Sequence, residues 1–197
     1  KDLEPVRGGS QRLPPSLRWF AVTILCVGTG VSLLGLRSDI ISAIYSISFW
    51  LQLSLIVLLS ISAISAAFIL SIPGHDKTKI VPWLVGAPLS MWFLQFLVGI
   101  SWDNLSTPWQ GYFCSTEILA LGILPGAFLI FLIRKSAPTN LGLTGTFGMI
   151  GTAAAAAVGT HFTCSLQEPM HLMLFHFAPI LVIGAVGILI GKRLLRW

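Results

Sequence analysis

LGLTGTFGMIGTAAAAAVGT, residues 141–160, carries no charged side chain over its whole length. About 20 predominantly apolar residues in helical form cross a hydrocarbon core about 30 Å thick, so this stretch has the length of one crossing. Its composition says more. Gly142, Gly145, Gly148 and Gly151 recur at every third position, and Ala153 to Ala157 follow without interruption. Small side chains let helix backbones approach closely inside a membrane. The segment is therefore expected to be the crowded centre of a helical bundle.

Five further stretches have the same reach: 19–36, 49–72, 80–100, 112–133 and 173–191. Each is bounded by polar or turn-forming residues, such as PGHDKTK at 73–79 and SWDNLSTPWQG at 101–111. Residues 40–48 are read either as a short interfacial helix or as an extension of the second span. The chain as a whole is 55% hydrophobic and only 10% charged, against about 25% charged residues in a soluble domain. Its 197 residues allow one domain. The expected architecture is an all-α membrane protein, a six-helix transmembrane domain at 19–197 preceded by a tail at 1–18. Gly187-x-x-x-Gly191 in the last span marks a second close helix approach. Pro82, Pro88, Pro125 and Pro179 predict kinks.

Basic residues orient the bundle. With both termini in the cytoplasm, eleven of the twelve Lys and Arg residues fall on the cytoplasmic side, and only Arg37 falls outside. Trp19, Trp50, Trp83, Trp102, Trp109 and Trp197 stand near predicted span ends, as an aromatic belt would, with Trp92 mid-span. The opening KDLEPVRGGSQRLPPSLR has no signal-peptide pattern, and a start at Lys1 rather than Met suggests that N-terminal sequence precedes it. The pI near 9.5 is accounted for by the basic loops and does not call for direct nucleic-acid binding. Glu117 is the only carboxylate within a span. The lack of buried charges along a pathway argues against an ion-coupled pump. Gln52 and Gln95 are expected to hydrogen-bond between helices. No phosphate loop, hydrolase motif or internal repeat is present.

Chemistry gathers at 160–177, THFTCSLQEPMHLMLFHF, which the topology places on the outer side. Spans four and five form a hairpin about residue 137. Cys114 lies 23 residues before that point and Cys164 lies 27 after it, so at 1.5 Å per residue their heights differ by about 6 Å. Near that pair fall His161, Glu168 and His171. His161 and Cys164, three apart, would share a helix face. Three readings stay open: a disulfide between Cys114 and Cys164, a metal site drawing on Cys114, His161, Cys164 and His171, or unlinked thiols. Thiolates and imidazoles suit zinc, copper or cadmium, but the spacing matches no standard zinc motif. A haem on His171 and His176 ranks low, because positions five apart on an α-helix do not share a face. No other cofactor is expected.

DLEPVR and LPPSLRW lead into the first span, LGLRSDI ends it, and FILSIPG ends the second. APTNLGLTG opens the fifth, and FHFAPILVIGAVGILIGKRLLRW closes the chain. In these junctions the chain resembles the six-span membrane anti-sigma factors of the NrsF type, and none of them is a catalytic signature. The resemblance implies a multi-pass protein of the bacterial inner membrane that is not an enzyme. It implies an extracytoplasmic-function (ECF) sigma factor as partner, held by the N-terminal segment Asp2, Leu3, Glu4, Pro5, Val6 and Arg7. It also implies release upon a redox or metal signal at Cys114 and Cys164, as part of a stress response. A transporter or channel, and a membrane redox protein with an outer metal or cofactor, are the alternatives.

Overall fold

The computed structural model describes residues 13–72, 79–99, 111–136, 138 and 140–196. Asp2 to Arg7, Lys77, Trp102, Trp109 and Trp197 lie outside the described residues. The chain runs α1 (Pro15–Leu34), α2 (Ile40–Ala43), α3 (Ile47–Leu70), α4 (Val81–Gly99), α5 (Tyr112–Arg134), α6 (Leu141–Thr163), α7 (Pro169–Leu172), a π turn (Met173–Phe177) and α8 (Ala178–Leu194). Six helical segments are long and apolar enough to cross a membrane, the last being Pro169–Leu194 taken as one. There is no strand among the described residues. The first helix begins at Pro15, inside the expected tail, because proline is well suited to a helix's first turn. Residues 40–48 divide between the short α2 and the start of α3.

α6 is the centre. Of its most apolar window 67% is buried within the protein, against 11% for α1. It packs against α8 and α3 most extensively, then against α5 and α1. Asn140 caps its start, accepting a hydrogen bond from the Leu143 amide at 3.1 Å. α1 ends at Gly35, whose φ of 87° a side chain would disfavour.

Backbone contact, not side-chain interlock, joins α6 to α8. A methyl group at Gly145 would overlap the Gly187 carbonyl and the Gly191 backbone, and one at Gly191 would overlap the Leu141 carbonyl. At Gly142, one turn away, a methyl would meet only Lys192 Cε at 3.7 Å and Ile188 Cγ2 at 3.8 Å, which are ordinary contacts. The same substitution should therefore give opposite results. Gly145→Ala is expected to destabilise by about 3 kcal/mol, the upper end of overpacking, because backbone cannot rotate aside. Gly142→Ala should be neutral within about 0.5 kcal/mol. Detergent-denaturation midpoints of the two variants check this.

In lipid, polar side chains that face neighbouring helices tie them together. Ser60 on α3 donates to the Gly151 carbonyl on α6 at 2.9 Å. Trp19 Nε1 donates to the Pro125 carbonyl on α5 at 2.9 Å. Trp19 is fully buried, so it is a core residue and not part of an interfacial belt. Trp83 is exposed, as a belt residue would be. Gln52 is buried, whereas Gln95 Oε1 has no hydrogen-bond partner among the described residues. Pro88 and Pro125 lie inside helices.

Candidate functional site

The end of the bundle away from the C-terminus gathers the start of α3, the start of α5, the end of α6 and the π turn. Arg37 fastens it. Its Nε and Nη2 grip both carboxylate oxygens of Asp39 at 2.7 Å, and Nη2 also donates to the Ser165 carbonyl at 3.2 Å. The Arg37 amide donates to the Phe162 carbonyl at 3.0 Å. The guanidinium holds the Asp39 carboxyl below the usual carboxylate range. Arg37 thus clamps the α1–α2 junction onto the segment that carries Cys164.

Cys114 stands in the first turn of α5, and Cys164 is the first residue after α6. The structure brings them together: the Cys114 thiol donates to Cys164 with the sulfurs 3.2 Å apart. His171 Nε2 lies 3.4 Å from the Cys164 sulfur. His176 completes a group of four whose ligand atoms all lie within 4.8 Å of one another. Both histidines are fully buried, and both cysteines are 8% exposed. The hydrogen bond that Cys164 accepts from Cys114 is the largest influence holding its thiol below the ordinary range. Beside the group, Thr163 donates to Glu117 Oε1 on α5 at 2.6 Å.

His161 does not join the group. The expectation rested on helical spacing from 161 to 164, but α6 ends at Thr163 and Cys164 is extended, with φ −86° and ψ 122°. The His161 ring instead stacks on Phe49 with centroids 4.5 Å apart. Its Nε2 pairs with the Phe49 carbonyl at 3.2 Å. Glu168 lies in the connection before α7 and is not one of the four.

His176 does join, and it is absent from the expected ligands. An α-helix would set His171 and His176 about 140° apart around its axis. Here the helix opens into a π turn, in which the Ala178 amide bonds to the Met173 carbonyl five residues back. The two rings come to the same side, centroids 5.4 Å apart. Pro179 was the available signal. It has no N–H to give the Phe175 carbonyl four residues before it, and its ring crowds that oxygen. The Phe175 carbonyl accepts the Ser115 hydroxyl instead, at 3.1 Å, next door to Cys114.

The family model described as NrsF, negative regulator of sigma F, matches residues 1–197. The "Probable anti-sigma-F factor NrsF" of Azospira oryzae is 27% identical over 203 aligned positions, covering 96% of this chain and 93% of that protein. The "Anti-sigma-F factor NrsF" of Caulobacter vibrioides is 29% identical over 180 positions, covering 82% of this chain and 78% of that protein. No solved structure matches the chain.

Proposed function

The chain belongs to the NrsF family of negative regulators of sigma F, and from that premise we propose that it is a membrane anti-sigma factor with a switch at its cysteine pair. It spans the bacterial inner membrane and holds an ECF-type sigma factor on the cytoplasmic face. It lets that partner go when an oxidant or a thiol-binding metal reaches Cys114 and Cys164 from outside. The observation that carries the switch is the 3.2 Å approach of two buried sulfurs from different helices. Capture and release require no catalysis, and any effect on transcription passes through the sigma factor rather than through nucleic-acid contact. A transporter gains no support from the grooves beside α6. The groove facing α1 and α3 and the one facing α5 and α8 are lined mainly by apolar side chains, with Thr23 and Ser60 in the first and Thr152 in the second.

The segment Asp2–Arg7 is the proposed holding element. Deleting residues 1–16, with whatever precedes them in the natural protein, should abolish co-purification of the sigma factor and leave its regulon constitutively on. The helical domain should remain in the membrane fraction. Repression by the tail-less protein would move the binding surface to the loops near Lys77, Lys79, Arg134 and Lys135.

Topology is tested separately. A reporter that works only in the cytoplasm should be active when fused after Trp197, and a periplasmic reporter should be silent there. The opposite result would put the cysteine pair on the wrong side for an external signal.

A further inference from the structure

His176 is fully buried, and neither of its ring nitrogens has a hydrogen-bond partner among the described residues. His171 Nδ1 is in the same condition. Each unmet buried polar group costs about 1–3 kcal/mol, and in lipid no bulk water is at hand to relieve it. Orphaned imidazoles are ordinarily a liability. Here one nitrogen of each ring lies within 4.8 Å of the other ligand atoms of the group, and a neutral imidazole keeps one nitrogen free of a proton, as a metal ion requires.

We infer that His171 and His176 are the third and fourth ligands of a divalent d10 metal ion held with Cys114 and Cys164. The inference rests on the reading of the cysteine pair as the sensing site and names that site's ligand. Two sulfurs and two nitrogens are a tetrahedral zinc-type donor set. An ion 2.3 Å from each sulfur separates them by about 3.8 Å. The observed 3.2 Å between sulfurs and 3.4 Å from Cys164 to His171 require shifts of about half an ångström, and the widest separations in the group, up to 4.8 Å, must close by about an ångström.

Charge selects the valence. Both thiols lose a proton on binding, so a divalent cation with two thiolates and two neutral imidazoles forms a site of zero net charge. A monovalent ion would leave one negative charge in a buried site flanked by lipid, where unpaired charge is costly. Hard cations such as magnesium or calcium prefer oxygen ligands, and the group offers none.

The ligands come from the start of α5, the end of α6 and the turn that leads into α8. Binding therefore draws three helices toward one point and gives a small ion purchase on the whole bundle. The π turn is what makes the fourth ligand available, and such turns recur at functional sites in other helices.

The full chain, purified in detergent with its natural N-terminus, reduced and stripped of metal, is titrated with Co2+. Wild type should take up one equivalent with the visible bands of tetrahedral cobalt and the charge-transfer absorption of two thiolates. Zn2+ should displace it. His176→Gln should weaken binding by more than about 100-fold, the upper end of the loss seen for a merely supporting partner, with the metal-free melting point unchanged. His176→Cys should restore tight binding with the charge-transfer intensity of three thiolates. Unaltered affinity in both His171→Gln and His176→Gln would overturn the inference while leaving the cysteine switch standing. Failure of folded, reduced wild type to bind Co2+ or Zn2+ would also overturn it and would leave the pair to oxidants alone. If His176→Gln does not fold, the His176→Cys spectrum decides: three thiolates support the site, and two exclude residue 176 from it.

Discussion

Serine in place of Cys114 or Cys164 is expected to hold the sigma factor captive under every inducing condition, with regulon expression fixed at one level. The two sulfurs need to move about an ångström closer to bond, or slightly apart to seat an ion. Both routes pass through both thiols, so losing either one removes both. The energy available is sufficient. A bond across 50 residues of chain contributes about 4 kcal/mol in the chain-entropy model. The reference state of a membrane hairpin is already restricted, so about half is a fairer figure, and about 2 kcal/mol shifts a two-state equilibrium roughly 30-fold. Cys26, half-buried in α1 and outside the four-residue group, is the internal control. Cys26→Ser should respond as wild type does. Thiol-oxidant treatment of the membrane fraction followed by alkylation and mass analysis should find a Cys114–Cys164 link in the parent and none in either variant. A full response in Cys164→Ser would place the switch elsewhere.

Hydropathy made six helices long and apolar enough to cross a membrane legible, because lipid demands long apolar helices and tolerates little else. Glycine and alanine in 141–160 disclosed the centre, since close backbone approach excludes larger side chains there. Hairpin arithmetic found the cysteine pair, because rise per residue in a continuous helix is nearly invariant. The same regularity misled at both histidine positions, where the helix stops or changes. His161 shares a face with Cys164 only if α6 runs on past Thr163, and the chain turns extended there. α-Helical angles separate His176 from His171, and a π turn does not obey them. Trp19 looked like a belt residue from its place near a span end, yet its indole N–H finds a carbonyl inside the bundle. Periodicity reports regular structure, whereas the site sits where regular structure is interrupted.

Pro179→Ala is expected to stabilise the bundle and spoil the site at once. Alanine restores the N–H that the Phe175 carbonyl lacks and removes the ring that crowds it, and a proline in a helix interior costs about 3 kcal/mol relative to alanine. Rewinding the turn to α-helix should recover part of that and raise the melting midpoint. It also carries His176 around the axis, away from Cys164 and His171, so affinity for Co2+ should fall by more than about 10-fold. Ser115→Ala separates the two contributions. It deprives the Phe175 carbonyl of its hydroxyl partner, at a cost of about 1 kcal/mol, but leaves proline to hold the turn open. That variant should melt lower while keeping its metal affinity. Gain of stability with loss of binding is a pairing that general disruption does not produce. If Pro179→Ala keeps full affinity, the open turn is imposed by packing, with Phe177 wedged against Trp92, Phe93 and Phe96 at ring distances of 5.2–5.8 Å. The wedge, not the proline, would then be what delivers His176 to the sulfurs, and α4 would be part of the switch.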